Sequence, residues 1–240
     1  MRLPFFQNAA SRLVLLAVAI SAPFASAQDI FVTPVPNTPF SAVVNIERSR
    51  PQPDGTVFTL KTIRNIGRDR RGRIHNESRA LVPASSSATP PLVRIHLYDP
   101  NTRVSTYLNP EKRISWTETV HHPPSSEPPT VRYASPTGDG LSQNELSKEE
   151  DLGVRDMEGV QVHGVRETQT IAAEDNSSGK EVVVTDEFWY SADLRINLMV
   201  KHTDPRTGTA TMTVSQVTRT DPDPAFFEIP EGYKLTKLDS

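Results

Sequence analysis

The chain has 240 residues, of which 36% are hydrophobic and 23% charged, and its formal net charge is −3 at pH 7. It contains no cysteine, which excludes disulfides, thiol catalysis and cysteine-based zinc or iron–sulfur sites. The mildly acidic balance argues against nucleic acid and anionic membrane surfaces as main partners.

The first 27 residues have the pattern of a secretory signal peptide. Arg2 and Arg12 supply positive charge, residues 13–20 are an unbroken apolar run, and residues 25–27 (Ala-Ser-Ala) fit a signal peptidase site. The run is far shorter than the roughly 20 residues that a membrane-spanning helix needs. We therefore predict cleavage after Ala27 and a periplasmic or secreted mature chain without a membrane span. An uncleaved anchor is the alternative.

The first half of the mature chain has the pattern of consecutive β-hairpins. Residues 28–39 are proline-rich and predict an extended lead-in. Apolar and more polar residues then alternate over 40–46, as in a half-buried strand, and Asp54-Gly55 marks a hairpin turn. Further strands are predicted at 56–64, 73–81, 92–98, 103–108 and 113–117, with an Ala/Ser/Pro-rich loop at 83–91.

Five arginines cluster around the predicted turn at 69–72. They are Arg64, Arg68, Arg70, Arg71 and Arg73. Long charged side chains beside a turn normally face water, so we expect a solvated hairpin tip. An anion-binding site is the alternative.

A Pro/Ser-rich segment at 119–141 is the clearest break in the pattern. It either divides two domains or forms a long loop. We predict the loop, and hence one curved-sheet domain over 40–240, because neither flank resembles a complete core. Ser142 and Glu145 then have capping-box spacing, which predicts one short acidic helix over 143–151.

The C-terminal part again predicts strands, at 159–171, 181–190, 194–200 and 209–219. The segment 181–190 has apolar residues on both faces, which is typical of a central strand. Asp186 shares a face with Phe188 and, if buried, needs a partner such as an arginine from an adjoining strand. The aromatic pair Phe226-Phe227 is predicted to anchor the tail in the sheet.

Four segments in this part form an ordered series: 159–166, 187–191, 204–208 and 223–233. The series resembles a family of secreted bacterial proteins, which is similar in pattern to the lipoprotein-sorting superfamily of LolA, LolB, RseB and LppX. The resemblance implies a curved antiparallel half barrel whose concave side takes acyl chains or lipidated segments under a helical lid. The resemblance covers residues 155–235 well, whereas residues 40–118 agree with the family only in the regular spacing of their predicted hairpins. This chain departs from the pattern in offering one short helix for the lid.

The polar residues of the sequence form no pattern that indicates catalysis or metal binding. His121 and His122 are adjacent, so in an extended chain they point to opposite sides and make a poor metal site. The other histidines are scattered singly over predicted strands. The acidic pair Asp186-Glu187 also alternates sides, and the sequence contains no Gly-x-Ser-x-Gly elbow. We therefore expect no catalytic residue, no metal and no cofactor.

Taken together, the sequence predicts a mainly β protein with a strongly curved antiparallel sheet of about ten or eleven strands and one short helix. The predicted function is an exported, non-catalytic binding protein of the envelope that holds an apolar ligand or a lipidated partner on the concave face. The alternatives are an interaction module without a small ligand, whose partner is an envelope protein, and an enzyme. The candidate ligand contacts are Phe188, Tyr190, Leu198 and Val200.

Overall fold

The computed structural model of the chain describes residues 30–121, 147–175 and 179–236. The predicted signal peptide with its cleavage site lies outside the described residues. So does the predicted Pro/Ser-rich loop, apart from residues 119–121.

The described chain is built almost entirely from β-strands. The strands are β1 (Phe40–Pro51), β2 (Val57–Arg68), β3 (Ile74–Arg79), β4 (Val82–Pro83), β5 (Leu92–Asp99), β6 (Val104–Asn109), β7 (Ile114–Thr119), β8 (Ser147–Met157), β9 (Val160–Ile171), β10 (Val182–Ser191), β11 (Ile196–Asp204), β12 (Gly208–Thr218) and β13 (Lys234–Leu235). Within these ranges the helical structure consists of two short 3-10 helices, Ala173–Asp175 and Pro224–Phe227.

All thirteen strands belong to one open, curled sheet. Its order is β13-β7-β6-β5-β3-β2-β1-β12-β11-β10-β9-β8, and β4 adds a short pairing to β2. Neighbouring strands are antiparallel except for β13, which runs parallel to β7. The pairing of β1 with β12 joins the two halves of the chain at the middle of the sheet. The predicted mainly β, curved antiparallel fold is confirmed.

The strands follow from alternation and turn chemistry, as predicted. Phe40, Ala42, Val44 and Ile46 of β1 are all buried, while their neighbours along the strand are more exposed. The turn after β1 contains Gly55 at a φ of 83°, a left-handed conformation that glycine adopts without a Cβ clash. The structure extends β1 to Pro51 and β2 to Arg68, beyond the predicted ends.

The predicted helix over 143–151 is wrong where the structure describes it. Residues 147–151 lie in β8, which pairs with β9 along most of its length. The capping-box spacing concerns local hydrogen bonds alone, whereas an edge position beside β9 offers this segment a full ladder of backbone hydrogen bonds. Here the tertiary pairing overrides the local signal.

One face of the sheet holds the main core. Residues directly opposite each other in an antiparallel pair lie on the same face. Ile46 is opposite Met212, Met212 is opposite Val200, and Val200 is opposite Phe188. We call the face that carries these residues the inner face. They join one buried cluster with Ile30 of the predicted lead-in, so the lead-in packs against the sheet.

The predicted solvated tip holds for Arg70 and Arg71 but is wrong for Arg68, which is completely buried. Its guanidinium donates to the carbonyl oxygens of Thr38, Thr33 and Leu194 at 2.9, 2.7 and 2.7 Å. The last oxygen belongs to the turn between β10 and β11. Of the other four arginines in the cluster, Arg70 and Arg71 are exposed and Arg64 and Arg73 are not. Buried donors need acceptors, and this turn and the lead-in supply them.

The C-terminal segment is anchored on the sheet through its aromatic pair, as predicted. The ring of Phe226 stacks on His75 of β3, with 3.8 Å between centroids, and Phe227 is buried. Gly67 of β2 makes room for this contact, since a Cβ there would lie 2.8 Å from the Phe226 ring. Among the described residues, no helix is long and apolar enough to cross a membrane.

Candidate functional site

Three of the four predicted ligand contacts lie together in the main core. Phe188 of β10 is directly opposite Val200 of β11, and Leu198 of β11, the unpaired residue of a bulge, joins them in the same buried cluster. Phe188, Leu198 and Val200 are each at most 2% exposed and belong to the buried cluster. Tyr190 is half-buried and pairs instead with Asn197 and His163, beyond the bulge at Leu198 of β11. The ligand role of these four residues stays a prediction.

A stack of aromatic rings crosses three neighbouring strands in the other half of the sheet. His96 of β5 is opposite Tyr107 of β6, which is opposite Trp116 of β7. Ring centroids are 4.7 Å apart for the first pair and 5.5 Å for the second, with interplanar angles of 11° and 20°. All three side chains are half-buried. We call these three residues the aromatic shelf.

The aromatic shelf lies on the inner face. His96 is opposite Asn76 of β3, Asn76 is opposite Ile66 of β2, and Ile66 is opposite Ala42 of β1. This row of paired residues runs from Ala42 and Ile66, which are buried in the core, to the half-buried aromatic shelf. The part of the inner face that holds Phe188, Leu198 and Val200 is therefore continuous with the more accessible aromatic shelf, which the sequence analysis did not find.

A cavity of about 350 Å³ opens beside Trp116 at the end of the aromatic shelf. It is lined by Ser78, Val93, Arg94, Leu108, Asn109 and Trp116. Its volume falls within the ordinary range of small-molecule sites, which begins at about 300 Å³. A second cavity, of about 160 Å³ between β5, β6 and Phe227, is below that range.

The acidic residue that was predicted to need a partner has one, although it is not an arginine. Asp186 of β10 is opposite His202 of β11, and its carboxylate lies 2.8 Å from Nδ1 of that ring. The hydrogen bond to Asp186 raises the pKa of His202 and outweighs the opposing effect of burial. The pair therefore acts as a cross-strand contact that strengthens when the ring is protonated.

The neighbouring acid, Glu187, points to the other face and joins a row of charges. Its carboxylate accepts from Trp189 Nε1 at 2.7 Å and from Arg166 at 3.1 Å, and Arg166 also contacts Glu150 of β8. Partial burial raises the pKa of Glu187, but the hydrogen bonds from Trp189 and Arg166 outweigh it, so the pKa is lowered. All the polar groups of this row have protein partners, which is typical of a structural role.

The pKa values of His96, in the aromatic shelf, and of His75, in β3, shift in the opposite direction to that of His202. Burial is the main cause that lowers the pKa of His75 and of His96, and the charge of Arg94 lowers that of His96 further. Of the adjacent histidines, His121 is exposed and His122 lies outside the described residues. Within the described ranges, no three His, Cys, Asp or Glu side chains are grouped so that they could hold a metal ion.

The sequence offers only one signal for the aromatic shelf, the two turns that join its strands. Its three residues occupy consecutive strands of one meander, and the turns at 99–103 and 109–113 fix the register of those strands. His96, Tyr107 and Trp116 lie side by side only if these three strands pair in one specific register. The alternation within each strand does not supply it, because a slip of one residue sends a side chain to the other face.

No protein-family model and no curated protein sequence matches this chain. Solved structures do match. An uncharacterized conserved protein from Thermus thermophilus matches with a TM-score of 0.41 and 9% identity, over 84% of this chain and 91% of that chain. MucB of Pseudomonas aeruginosa, in its complex with MucA, matches with a TM-score of 0.42 and 10% identity, over 84% of this chain.

A LolA superfamily protein from Nitrosomonas europaea matches with a TM-score of 0.30 and 9% identity, over 81% of this chain and 91% of that chain. The superfamily that the sequence resembles is thus among the matched structures. The chain spans 59% of the length of the MucB–MucA match. At these identities and TM-scores the likeness concerns the sheet architecture, and no ligand or partner is inferred from it.

Proposed function

We propose that this chain is a non-catalytic binding protein of the cell envelope that holds an apolar ligand, or the acyl part of a lipidated partner, on the inner face of its sheet. The observation that supports the proposal is the cavity of about 350 Å³ beside the aromatic shelf. An apolar wall next to a few polar groups is the usual composition of a ligand site.

The aromatic shelf suits an apolar ligand because its rings are already held in place. Each ring is stacked on its neighbour and rooted in a paired strand, so little side-chain freedom is lost on binding. Phe188, Leu198 and Val200 extend the same face as a packed apolar floor in the other half of the sheet. Tyr190 is the one of the four predicted contacts with appreciable surface left for a ligand.

An interaction module without a small ligand is the second candidate, and one observation favours it. Val57 and Phe58, at the far end of the β1–β2 hairpin, are 64% and 48% exposed. The two side chains are consecutive in β2 and so lie on opposite faces, which leaves apolar surface for a protein partner to cover on either side of the hairpin end. On this hypothesis the hairpin end contacts an envelope protein, and the cavity beside Trp116 holds solvent.

Mass spectrometry of lipid extracted from natively purified protein separates the two candidates. We compare the wild type with Trp116→Ala, which removes one end of the aromatic shelf, and with Phe58→Ala, which removes exposed apolar surface elsewhere. The proposal expects bound lipid in the wild type, a loss of most of it in Trp116→Ala and no change in Phe58→Ala. Absence of lipid from all three proteins would overturn the proposal and favour the interaction module.

A further inference from the structure

We infer that the ligand beside the aromatic shelf is an amphiphile with an anionic head group, a carboxylate or a phosphate, that Arg94 binds while the apolar body lies against Trp116. This inference rests on the proposed function. It adds the chemical class of the ligand and assigns a role to Arg94.

Arg94 is the cavity's unpaired positive charge. It is exposed, and it makes no hydrogen bond or ion pair with any described residue. Two other arginines of this region are engaged: Arg79 bonds to Glu77 and to the Pro90 carbonyl, and Arg73 bonds to Asp69. A planar guanidinium binds carboxylate and phosphate oxygens with two parallel hydrogen bonds, so an unpaired one beside a cavity suits an anion.

The other residues that line the cavity add two hydrogen-bond donors, and none of them carries a negative charge that would repel an anion. Ser78 lies directly opposite Arg94, and neither its hydroxyl nor the Trp116 indole N–H bonds to another described residue. None of the six lining residues is acidic. Burial and the charge of Arg94 lower the pKa of His96, so the neighbouring ring of the shelf is mainly neutral at pH 7.

The apolar side of the cavity indicates an amphiphile rather than a free ion. Val93, 53% exposed, and the half-buried Trp116 present hydrocarbon and aromatic surface to the same space as Arg94. An inorganic anion would leave this surface in water, whereas an alkyl chain attached to the anion would cover it, at a gain of roughly 25 cal/mol for each Å² of apolar area buried.

Isothermal titration calorimetry with a matched set of probes tests the inference. The probes are decanoate, decyl phosphate, uncharged 1-decanol, acetate and inorganic phosphate. The variants are Arg94→Gln and, as a control that removes the same charge elsewhere, Arg71→Gln, since Arg71 is exposed and does not line the cavity. We expect Arg94→Gln to weaken decanoate or decyl phosphate binding about tenfold, to leave 1-decanol unchanged, and Arg71→Gln to match the wild type.

The outcomes separate the inference from the proposed function. If 1-decanol binds the wild type as tightly as the anionic probes and Arg94→Gln changes nothing, the inference is overturned while the apolar site stands. If acetate or phosphate binds as tightly as the long-chain probes, the site takes free anions and the inference is again overturned. If none of the ten-carbon probes binds, the proposed function itself fails.

Discussion

Arg68 Nη2 donates a hydrogen bond of 2.7 Å to the carbonyl oxygen of Leu194, although 126 residues separate them in sequence. Two strands, β1 and β12, lie between β2 and β11 in the sheet. At about 4.8 Å per strand, a flat sheet would hold β2 and β11 about 14 Å apart. The contact therefore marks the face that carries Arg68 as the inside of the curl. Burial lowers the pKa of Arg68 to about 10, so it remains protonated at neutral pH.

Replacing Arg68 is expected to destabilise the fold severely. Arg68→Met keeps most of the volume but leaves the carbonyls of Thr33, Thr38 and Leu194 without their donor. We expect the free energy of unfolding to fall by about 3 kcal/mol or more, because unsatisfied buried acceptors cost about 1–3 kcal/mol each. Urea unfolding measures the loss. The control Arg71→Met replaces an exposed arginine and should change stability by less than about 0.5 kcal/mol. Equal effects of the two substitutions would mean that the three hydrogen bonds of Arg68 do not stabilise the fold.

Gly164 is expected to tolerate no side chain because the Trp189 ring lies directly over it. A Cβ at this position would be 2.7 Å from two ring carbons of Trp189. Gly164→Ala should therefore lower the free energy of unfolding by about 1–3 kcal/mol, the usual cost of overpacking. In the background Trp189→Leu the same change should cost much less, which a double-mutant cycle by urea unfolding detects. An unchanged cost would mean that the ring is not the cause.

The Asp186–His202 pair predicts a defined pH dependence of stability. The pKa of His202 is raised in the folded protein, so the pair contributes stability that is fully present below pH 6.5 and is lost as the pH rises through the raised pKa. Asp186→Asn should therefore destabilise the protein more at pH 6 than at pH 8. Urea unfolding at the two pH values measures this difference, and a cost that does not vary with pH would refute it.

His75 is expected to behave in the opposite way to His202. Its pKa is lowered mainly by burial, so the stability linked to its neutral form is present above pH 6.5 and is lost as the pH falls below that value. An NMR titration of the histidine ring resonances should place His202 above and His75 below the ordinary value of 6.5. Observation of both on the same side of 6.5 would contradict the geometry of at least one site.

The two apolar parts of the inner face should respond differently to truncation. Leu198 is completely buried, so Leu198→Ala should cost about 2–5 kcal/mol of stability. Trp116 is half-buried, and Trp116→Ala should cost less stability but remove most binding of decanoate. Calorimetric titration of the folded variants compares them. If Leu198→Ala weakens binding more than Trp116→Ala does, the ligand lies over the originally predicted residues.

Most individual strands could be predicted from the sequence, and the reason is local. The alternation in 40–46 and the turns at Asp54-Gly55 and 69–72 depend on neighbours along the chain. The segment 147–151 was missed because its conformation depends on β9, a strand that the capping signal does not include. An edge strand rich in charge lacks the alternation that identifies the other strands.

The candidate site could be predicted only in part. Phe188, Leu198 and Val200 share one buried cluster, while Tyr190 lies beyond the bulge in β11, and the ligand role of all four stays a prediction. The complete burial of the first three was not predictable, since it depends on Ile30 and Val32 of the lead-in packing against the same face. The aromatic shelf was not predictable either, because its three rings meet only when β5, β6 and β7 pair in one specific register.

The sequence by itself determined the antiparallel β character of this protein, the position of most turns and the absence of cysteine chemistry. These features depend on residue type and short-range spacing. The tertiary structure decided which strands became neighbours, as β1 and β12 did, and which charges were buried. Arg68 shows the physical reason: the same guanidinium would be solvated on an isolated hairpin, and it is buried here because the curl brings it three carbonyl acceptors.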